Sequence, residues 1–176
     1  MTEFEFGGFS CRTEGSGGTL ALLFSGFDRE LFADVGGILA QSGGGVTLAE
    51  FGDIDWDRDY SPWEAAGTNG RVFSGGADRL VGFLPDIVQE LSRRYGEFSR
   101  VYLCGYSLGG LFALYSAAVW DFPALCGAAS CSGSMWFPGW TEFLREHPIH
   151  GDVFLSLGGK EEKAKNKVMA AVGDRT

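Results

Sequence analysis

The residues with the clearest chemical potential are Gly105–Gly109, in which Ser107 has the G-x-S-x-G spacing of a serine nucleophile. An apolar strand precedes this turn and an apolar helix follows it within Arg100–Trp120 (RVYLCGYSLGGLFALYSAAVW). A chain with 28 glycines also produces this spacing by accident, and a serine that only caps a helix is the alternative. The strand–turn–helix setting favours a nucleophile at Ser107.

A serine that attacks a carbonyl group needs two backbone N–H groups to stabilise the developing oxyanion. Leu108 is the expected first donor, because it follows the nucleophile at a helix N-terminus. The second donor is expected in the loop after an earlier strand, where Gly26 and Phe27 stand. An ordinary turn at the end of that strand explains Gly26 equally well.

An acidic residue is expected after a later strand, to orient a catalytic imidazole. Glu161 and Glu162 follow the predicted strand Asp152–Leu157, and Asp174 is a weaker candidate. Acidic residues also favour the first turn of a helix without any catalytic role, so this alternative stays open.

The histidine of a triad is not visible in the sequence. His147 and His150 are the two histidines of the chain, and both precede the strand that carries the candidate acids. They flank Pro148 in a predicted surface turn, where a structural role is favoured.

Apolar runs that alternate with helical patterns predict the elements that position these residues, in an α/β fold with a mostly parallel sheet and helices on both faces. The N-terminal 18 residues predict an edge strand or hairpin. Ligands of such sheets bind beyond the carboxyl ends of the strands. The predicted strands are Thr19–Phe24, Val46–Phe51, Arg100–Cys104, Leu125–Cys131 and Asp152–Leu157. Two helices are predicted to begin after Asp28 and after Ser107, and three more to span Asp78–Tyr95, Thr141–Arg145 and Glu161–Val172. Pro85 is expected to kink the helix Asp78–Tyr95 or to mark a later start for it.

The segment Gly52–Gly76 has no clear periodicity and is interpreted as a long functional loop. Its alternating aspartates, Asp53 to Asp59, resemble a calcium loop, but the required glycine and terminal glutamate are misplaced. Aromatic pocket lining with solvated carboxylates is the favoured interpretation.

Composition limits the classes of partner. The net charge of −9 and the pI near 4.6 argue against nucleic acids and anionic membranes. The four cysteines form no C-x-x-C pair, so neither a zinc site nor any other cofactor is expected. The N-terminus lacks the features of a signal peptide, and the expected location is the cytoplasm.

Four segments together resemble the esterases of the α/β-hydrolase superfamily that include enterochelin (siderophore) esterases and esterase D-like hydrolases, and the nearest resemblance is to bacterial members. These segments are LLFSGFDRE, GYSLGGLFALYSA, SCSGSMWFPGW and SLGGKEEKAKNKVMAAVGD. The resemblance implies a serine esterase with Ser107 as nucleophile, Leu108 and Phe27 as oxyanion donors, and Glu161, with Glu162 as alternate, as the acid. It also implies that a small-molecule ester is bound by pocket walls that include Trp56, Asp59, Tyr60, Trp63, Tyr106, Ser132, Ser134 and Trp136.

One departure from that family affects the expected activity. In the family a histidine follows the acid on a segment that has no counterpart here, so residues 1–176 are expected to form a single domain without the last strand and helix of the fold. Impaired catalysis is therefore expected. A non-catalytic ligand-binding module is the alternative, as is a homo-oligomer that forms through an exposed sheet edge.

Overall fold

A computed structural model describes residues 1–26, 28–67, 70–163 and 170–176. Strands and helices alternate through most of these ranges, as the hydrophobic pattern predicts. The strands are β1 (Thr2–Phe6), β2 (Phe9–Gly15), β3 (Thr19–Phe24), β4 (Val46–Phe51), β5 (Glu64–Ala66), β6 (Val72–Ser74), β7 (Arg100–Tyr106), β8 (Leu125–Cys131) and β9 (Asp152–Ser156). The helices are α1 (Arg29–Gln41), α2 (Trp56–Asp59), α3 (Ala77–Tyr95), α4 (Leu108–Val119), α5 (Trp140–Glu146) and α6 (Val172–Arg175), with a 3₁₀ turn at Glu161–Lys163.

Seven of the described strands form one sheet in the order β1-β2-β4-β3-β7-β8-β9. The pairs from β4 to β9 are parallel, whereas β1, β2 and β4 pair antiparallel. The parallel strands therefore end at one edge of the sheet, where the loops after β3, β7, β8 and β9 meet. This arrangement confirms the predicted α/β class with a mostly parallel sheet.

Alternate residues of β3 show that the sheet is covered on both faces. Leu20, Leu22 and Phe24 are buried in the large core that includes α3 and α4. Ala21 and Leu23 point the other way, into a smaller cluster with α1. The continuous apolar run of β3 thus reflects two buried faces rather than the single face that an alternating pattern would indicate.

Three details of the sequence interpretation are settled by the helices. The Asp28 carboxylate accepts hydrogen bonds from the N–H groups of Glu30 and Leu31 and so caps α1, as predicted. Pro85 lies inside α3 without ending it, and the predicted cap Gly96 follows that helix with φ 94°. No helix among the described residues is both long and apolar enough to cross a bilayer.

The segment Gly52–Gly76 differs from the irregular loop predicted for it. It contains the short helix α2 and the antiparallel hairpin β5–β6. The prediction of solvated carboxylates was also wrong for Asp59, whereas Asp53 and Asp55 are exposed and Asp57 is partly exposed. Asp53 accepts hydrogen bonds from Ser10, Asp57 pairs with Arg71, and Asp59 is fully buried against Arg58 and Arg79.

Candidate active site

The turn between β7 and α4 has the strained backbone of a nucleophile elbow. Ser107 has φ 54° and ψ −120°, a conformation that non-glycine residues rarely adopt. A Cβ atom on Gly105 would lie 2.1 Å from the Gly109 carbonyl oxygen, and one on Gly109 would lie 2.0 Å from that of Phe24. Because backbone meets backbone at these points, the sharp turn requires both glycines.

The Ser107 side chain is not used to cap the helix that follows. Ser107 occupies the N-cap position of α4, yet its side chain makes no capping hydrogen bond. The helix-capping alternative therefore does not explain this serine. Ser107 is instead one of the residues that line a cavity.

The elbow is fixed by the loop that follows β8. The Ser107 N–H donates to the Cys131 carbonyl oxygen at 3.0 Å, and the Ser134 N–H donates to the Ser107 carbonyl oxygen at 3.0 Å. Ser132, between them, also has a positive φ of 49°, and its N–H bonds to the Ser156 carbonyl oxygen at 2.8 Å. The carboxyl ends of β7, β8 and β9 are thus connected through main-chain bonds.

A cavity of 330 Å³ opens at this edge of the sheet. It brings together Ser107, Leu108 and Glu161, which are far apart in sequence. Of the described residues, those that line it are Trp56, Arg71, Phe73, Tyr106, Ser107, Leu108, Ser132, Ser134, Trp136 and Glu161.

Three residues assigned to the pocket walls from the resemblance lie elsewhere. Asp59, the last residue of α2, is held in ion pairs, with Arg58 and Arg79 nitrogens each 2.9 Å from its Oδ1. Tyr60 is fully buried in the core between Phe24, Trp56 and Phe112. Trp63 packs among Tyr115, Phe137 and Phe143, and its indole N–H donates to the Pro138 carbonyl oxygen at 2.9 Å.

Leu108 is suitably placed for the first oxyanion donor. It is the first residue of α4, so its N–H has no acceptor within the helix. The positive end of the helix dipole adds to the attraction for a developing negative charge at this point.

The loop after β3 holds the remaining candidate donors. Burial raises the pKa of the Tyr60 phenol, and a backbone hydrogen bond from Gly26 opposes that effect. The Gly26 amide is thus directed to Tyr60, while its φ of 73° and its contact with the Trp56 ring leave no room for a Cβ. Phe27 lies outside the described residues, and its role as a donor stays a prediction.

A buried ion pair holds the loop after β3 in place. The Arg12 and Glu50 side chains are 1% and 0% exposed and form a salt bridge. Glu50 also accepts a hydrogen bond from the Ser25 hydroxyl, and Arg12 donates to the Asp28 carbonyl oxygen. The two charged residues hold both ends of the turn that contains Gly26.

Glu161 is anchored at the mouth of the cavity. Its carboxylate Oε1 accepts a hydrogen bond from the Gly158 N–H at 2.9 Å, and its own N–H donates to the Gly158 carbonyl oxygen at 2.9 Å. This tight turn presents the carboxylate on the same side as Ser107. The side chain of the alternate Glu162 is outside the described part of the chain, as is the end of the helix predicted from Glu161 to Val172.

Neither histidine reaches the cavity within one chain. The ring of His147 stacks on Phe143 with centroids 4.4 Å apart, and its Nδ1 lies 3.2 Å from the Phe143 carbonyl oxygen. His150 precedes β9, at the end of the sheet opposite to Ser107. Among the described residues, therefore, neither imidazole lies beside Ser107.

Arg71 and Phe73 line the cavity although the sequence interpretation did not single them out. Arg71 forms a bidentate pair with Asp57 and lies over the Phe73 ring, 5.2 Å from its centroid. The sequence signal for this hairpin was weak, namely Gly67 and Gly70 shortly before the β-prone pair Val72 and Phe73.

No protein-family model matches the chain, and no match was found among curated proteins. Solved structures do share its fold. An IroE-like serine hydrolase from Shewanella oneidensis has a TM-score of 0.77 at 17% identity, over 95% of this chain and 64% of that one. The siderophore hydrolase EstA from Aspergillus nidulans has a TM-score of 0.69 at 18% identity, over 95% and 73%.

The enterobactin esterase FES from Shigella flexneri has a TM-score of 0.66 at 16% identity, over 95% of this chain and 45% of that one. These similarities confirm the predicted α/β-hydrolase arrangement and the resemblance to siderophore esterases at the level of the fold. The chain spans 64% of the length of the Shewanella protein.

Proposed function

We propose that this protein is a serine hydrolase that cleaves carboxylic esters through an acyl-enzyme on Ser107. The observation that carries the proposal is the strained backbone of Ser107, with φ 54° and no capping hydrogen bond, at a cavity that Glu161 also lines. Backbone strain of this kind costs free energy and persists where the surrounding structure enforces it. The shared fold with serine hydrolases and esterases supports the same conclusion.

In the proposed reaction, the Ser107 Oγ attacks the ester carbonyl carbon while a base accepts its proton. The N–H of Leu108 stabilises the oxyanion of the tetrahedral intermediate, with a second donor from the loop after β3. The alcohol leaves with a proton from the base, and water then hydrolyses the acyl-enzyme. Glu161 is the proposed acid that orients the imidazolium of the base.

The expected rate of ester hydrolysis depends on the general base that accepts the Ser107 proton. Because neither His147 nor His150 lies at the cavity of its own chain, we expect an isolated chain to hydrolyse esters slowly. Loss of one triad member typically lowers kcat by about four to six powers of ten. The oxyanion donor and substrate binding then provide what catalysis remains.

The proposed substrate class is a small organic ester. The volume of 330 Å³ is suited to a small ligand, and the walls combine Trp56, Phe73 and Trp136 with hydroxyl groups. The similar structures include hydrolases of siderophores and of enterobactin, which supports an ester as the substrate. The cytoplasmic location and bacterial origin stay predictions from the sequence.

A second candidate function is a binding module that retains the cavity without turnover. The observation that favours it is the position of the two histidines, since neither contributes to the cavity of its own chain. Such a protein would bind an ester or acyl ligand between Trp56 and Trp136 and release it unchanged.

Hydrolysis of p-nitrophenyl acetate tests the proposed function. The expected result is turnover above the background rate that disappears in Ser107→Ala. Ser42→Ala is the matched control, because Ser42 ends α1 far from the cavity and its replacement should leave the rate unchanged. Turnover that persists in Ser107→Ala would contradict the proposal.

A further inference from the structure

Arg71 is the one basic residue among the described residues that line the active-site cavity. It directly precedes β6, and its side chain is 47% exposed. The reaction proposed above gives this guanidinium no role. A cation in a small ligand cavity commonly fixes the orientation of a ligand, so its hydrogen bonds matter.

The guanidinium of Arg71 is held in place from two sides. Its Nε donates to Asp57 Oδ2 at 2.7 Å, and its Nη2 donates to Asp57 Oδ1. The same group lies over the Phe73 ring, 5.2 Å from the centroid. These contacts orient the side chain before a ligand arrives, which lowers the entropy that binding would cost.

The contacts with Asp57 leave part of the Arg71 guanidinium without an acceptor. A guanidinium has five N–H groups, and Asp57 accepts from one on Nε and one on Nη2. The N–H groups of Nη1 and the second one of Nη2 have no acceptor within the described part of the chain. Together they form a second edge that fits the two oxygens of a carboxylate.

The sheet order places Arg71 and Glu161 on different sides of Ser107. Helix α2, to which Arg71 is bonded, packs on the loop after β3, where a Cβ atom on Gly26 would lie 2.7 Å from the Trp56 ring. Glu161 follows β9, and the strands run in the order β3-β7-β8-β9. Ser107, at the end of β7, therefore stands between the β3 side with Arg71 and the β9 side with Glu161.

We propose that Arg71 binds a carboxylate on the acyl part of the substrate, so that the preferred esters are half-esters of dicarboxylic acids. The inference rests on the proposed function, because attack by Ser107 defines which part of the ester is the acyl part. In that reaction the alcohol leaves beside the base that Glu161 orients. The acyl part then extends to the other side, where Arg71 stands.

The charge of the chain makes a local cation necessary for such a substrate. The net charge of −9 repels anions at long range, and Glu161 adds a negative charge at the cavity itself. Direct charge-assisted hydrogen bonds are therefore needed to hold a carboxylate here. Among the described lining residues, Arg71 is the one whose side chain can donate them.

The bound carboxylate takes no part in the bond changes. The Ser107 Oγ forms a bond to the ester carbonyl carbon, the C–O bond to the alcohol breaks, and the alcohol takes up the proton that Ser107 gave to the base. Water then cleaves the acyl-enzyme, which releases the dicarboxylic acid and returns the proton to Ser107.

Hydrolysis of p-nitrophenyl hydrogen adipate and of p-nitrophenyl hexanoate tests the preference. The two acyl groups have the same number of carbons and differ in a terminal carboxylate or methyl group. Wild type should have the higher kcat/KM for the adipate ester, and Arg71→Gln should lower the adipate-to-hexanoate ratio of kcat/KM at least about tenfold. An equal ratio in wild type and Arg71→Gln would overturn the inference.

Arg93→Gln is the matched control for the change in net charge. Arg93 lies in the last turn of α3 with its side chain 63% exposed, and it does not line the cavity, so the ratio should stay at the wild-type value. Circular dichroism verifies that each variant is folded. Should Arg71→Gln not fold, Arg71→Lys decides, because lysine keeps the charge beside Asp57 without a second bidentate edge. A full wild-type ratio in Arg71→Lys would overturn the inference.

Binding to Ser107→Ala tests the carboxylate site without turnover. Monoethyl adipate is titrated while tryptophan fluorescence is recorded, since Trp56 and Trp136 line the cavity. Adding Arg71→Gln should raise the Kd at least about tenfold. A Kd that this replacement leaves unchanged would overturn the inference.

Failure of the inference and failure of the proposed function give different results. Esters that are cleaved through Ser107 without the Arg71-dependent preference would overturn the inference and leave the proposed function in place. Binding of monoethyl adipate that depends on Arg71, in a protein without Ser107-dependent hydrolysis, would overturn the proposed function and retain the carboxylate site.

Discussion

The Ser134 N–H donates a hydrogen bond to the carbonyl oxygen of Ser107 at 3.0 Å, which ties the nucleophile elbow to the loop after β8. Together with the bond from the Ser107 N–H to Cys131, it holds the peptide groups on both sides of the strained residue. The elbow is therefore rigid before any ligand arrives. A nucleophile fixed in this way does not have to be ordered during the reaction.

The strain at Ser107 predicts a gain in stability when glycine replaces it. Ser107→Gly should raise the free energy of unfolding by about 1 kcal/mol, because glycine adopts a positive φ without steric cost. Urea unfolding provides the measurement. Ser42→Gly is the control, since Ser42 has φ −76° and glycine there should lower stability. A loss of stability at Ser107 would show that its backbone is not strained.

The close approach of α4 to β3 predicts a large cost for a single methyl group. A Cβ on Gly109 would lie 2.0 Å from the Phe24 carbonyl oxygen, so Gly109→Ala should lower the free energy of unfolding by about 3 kcal/mol. Gly37→Ala, inside α1 with open space around it, should instead raise stability by about 0.5–1 kcal/mol. Equal effects of the two replacements would contradict the packing described for the elbow.

The stability of the fold should depend strongly on both members of the buried pair Arg12 and Glu50. Glu50→Gln should lower the free energy of unfolding by about 3 kcal/mol, because it removes a carboxylate charge that is paired with a buried guanidinium. The double variant Arg12→Met/Glu50→Leu should cost less than the sum of Arg12→Met and Glu50→Leu measured separately. Additive losses in urea unfolding would show that the two charges do not depend on each other.

Asp59 should make the stability of the fold decrease in acid. Burial alone would raise its pKa, but hydrogen bonds from Arg58 and Arg79 outweigh burial and hold the pKa below its ordinary value of 3.8. A pKa that is lower in the folded state stabilises the fold fully above about pH 4, and this contribution disappears as the pH falls through the folded value.

The measurement for Asp59 is unfolding free energy against pH. The difference between wild type and Asp59→Asn should shrink on acidification from about pH 5 to pH 2. Asp86→Asn, at an exposed position of α3, provides the control and should differ little from wild type throughout. A difference for Asp59→Asn that stays constant with pH would contradict the role of the ion pairs.

Much of the fold could be predicted because the strands of this sheet are short, apolar and bounded by glycines. The bounds of β3, β4 and β8 agree with the sequence interpretation to the residue. Strands buried on both faces leave a continuous apolar run that no surface helix shares. The turn at Ser107 was recognisable for a related reason, since glycines cluster where a strand and a helix approach closely.

The hairpin β5–β6 was not predicted because its strands have three residues each, too few for a period to appear. Without that hairpin, Arg71 and Phe73 could not be assigned to the cavity. The direction of α2 determines where Asp59, Tyr60 and Trp63 lie. Asp59 pairs with Arg58, Tyr60 packs in the core, and Trp63 packs against α5. Such directions follow from tertiary packing and not from local pattern.

The central claim is that Ser107 is a reactive nucleophile, and covalent labelling tests it most directly. Incubation with a fluorophosphonate, followed by intact-mass and peptide mass spectrometry, should show one phosphonyl group per chain, located on Ser107 and absent in Ser107→Ala. A folded wild-type protein that stays unlabelled, or that is labelled at another residue, would contradict the account.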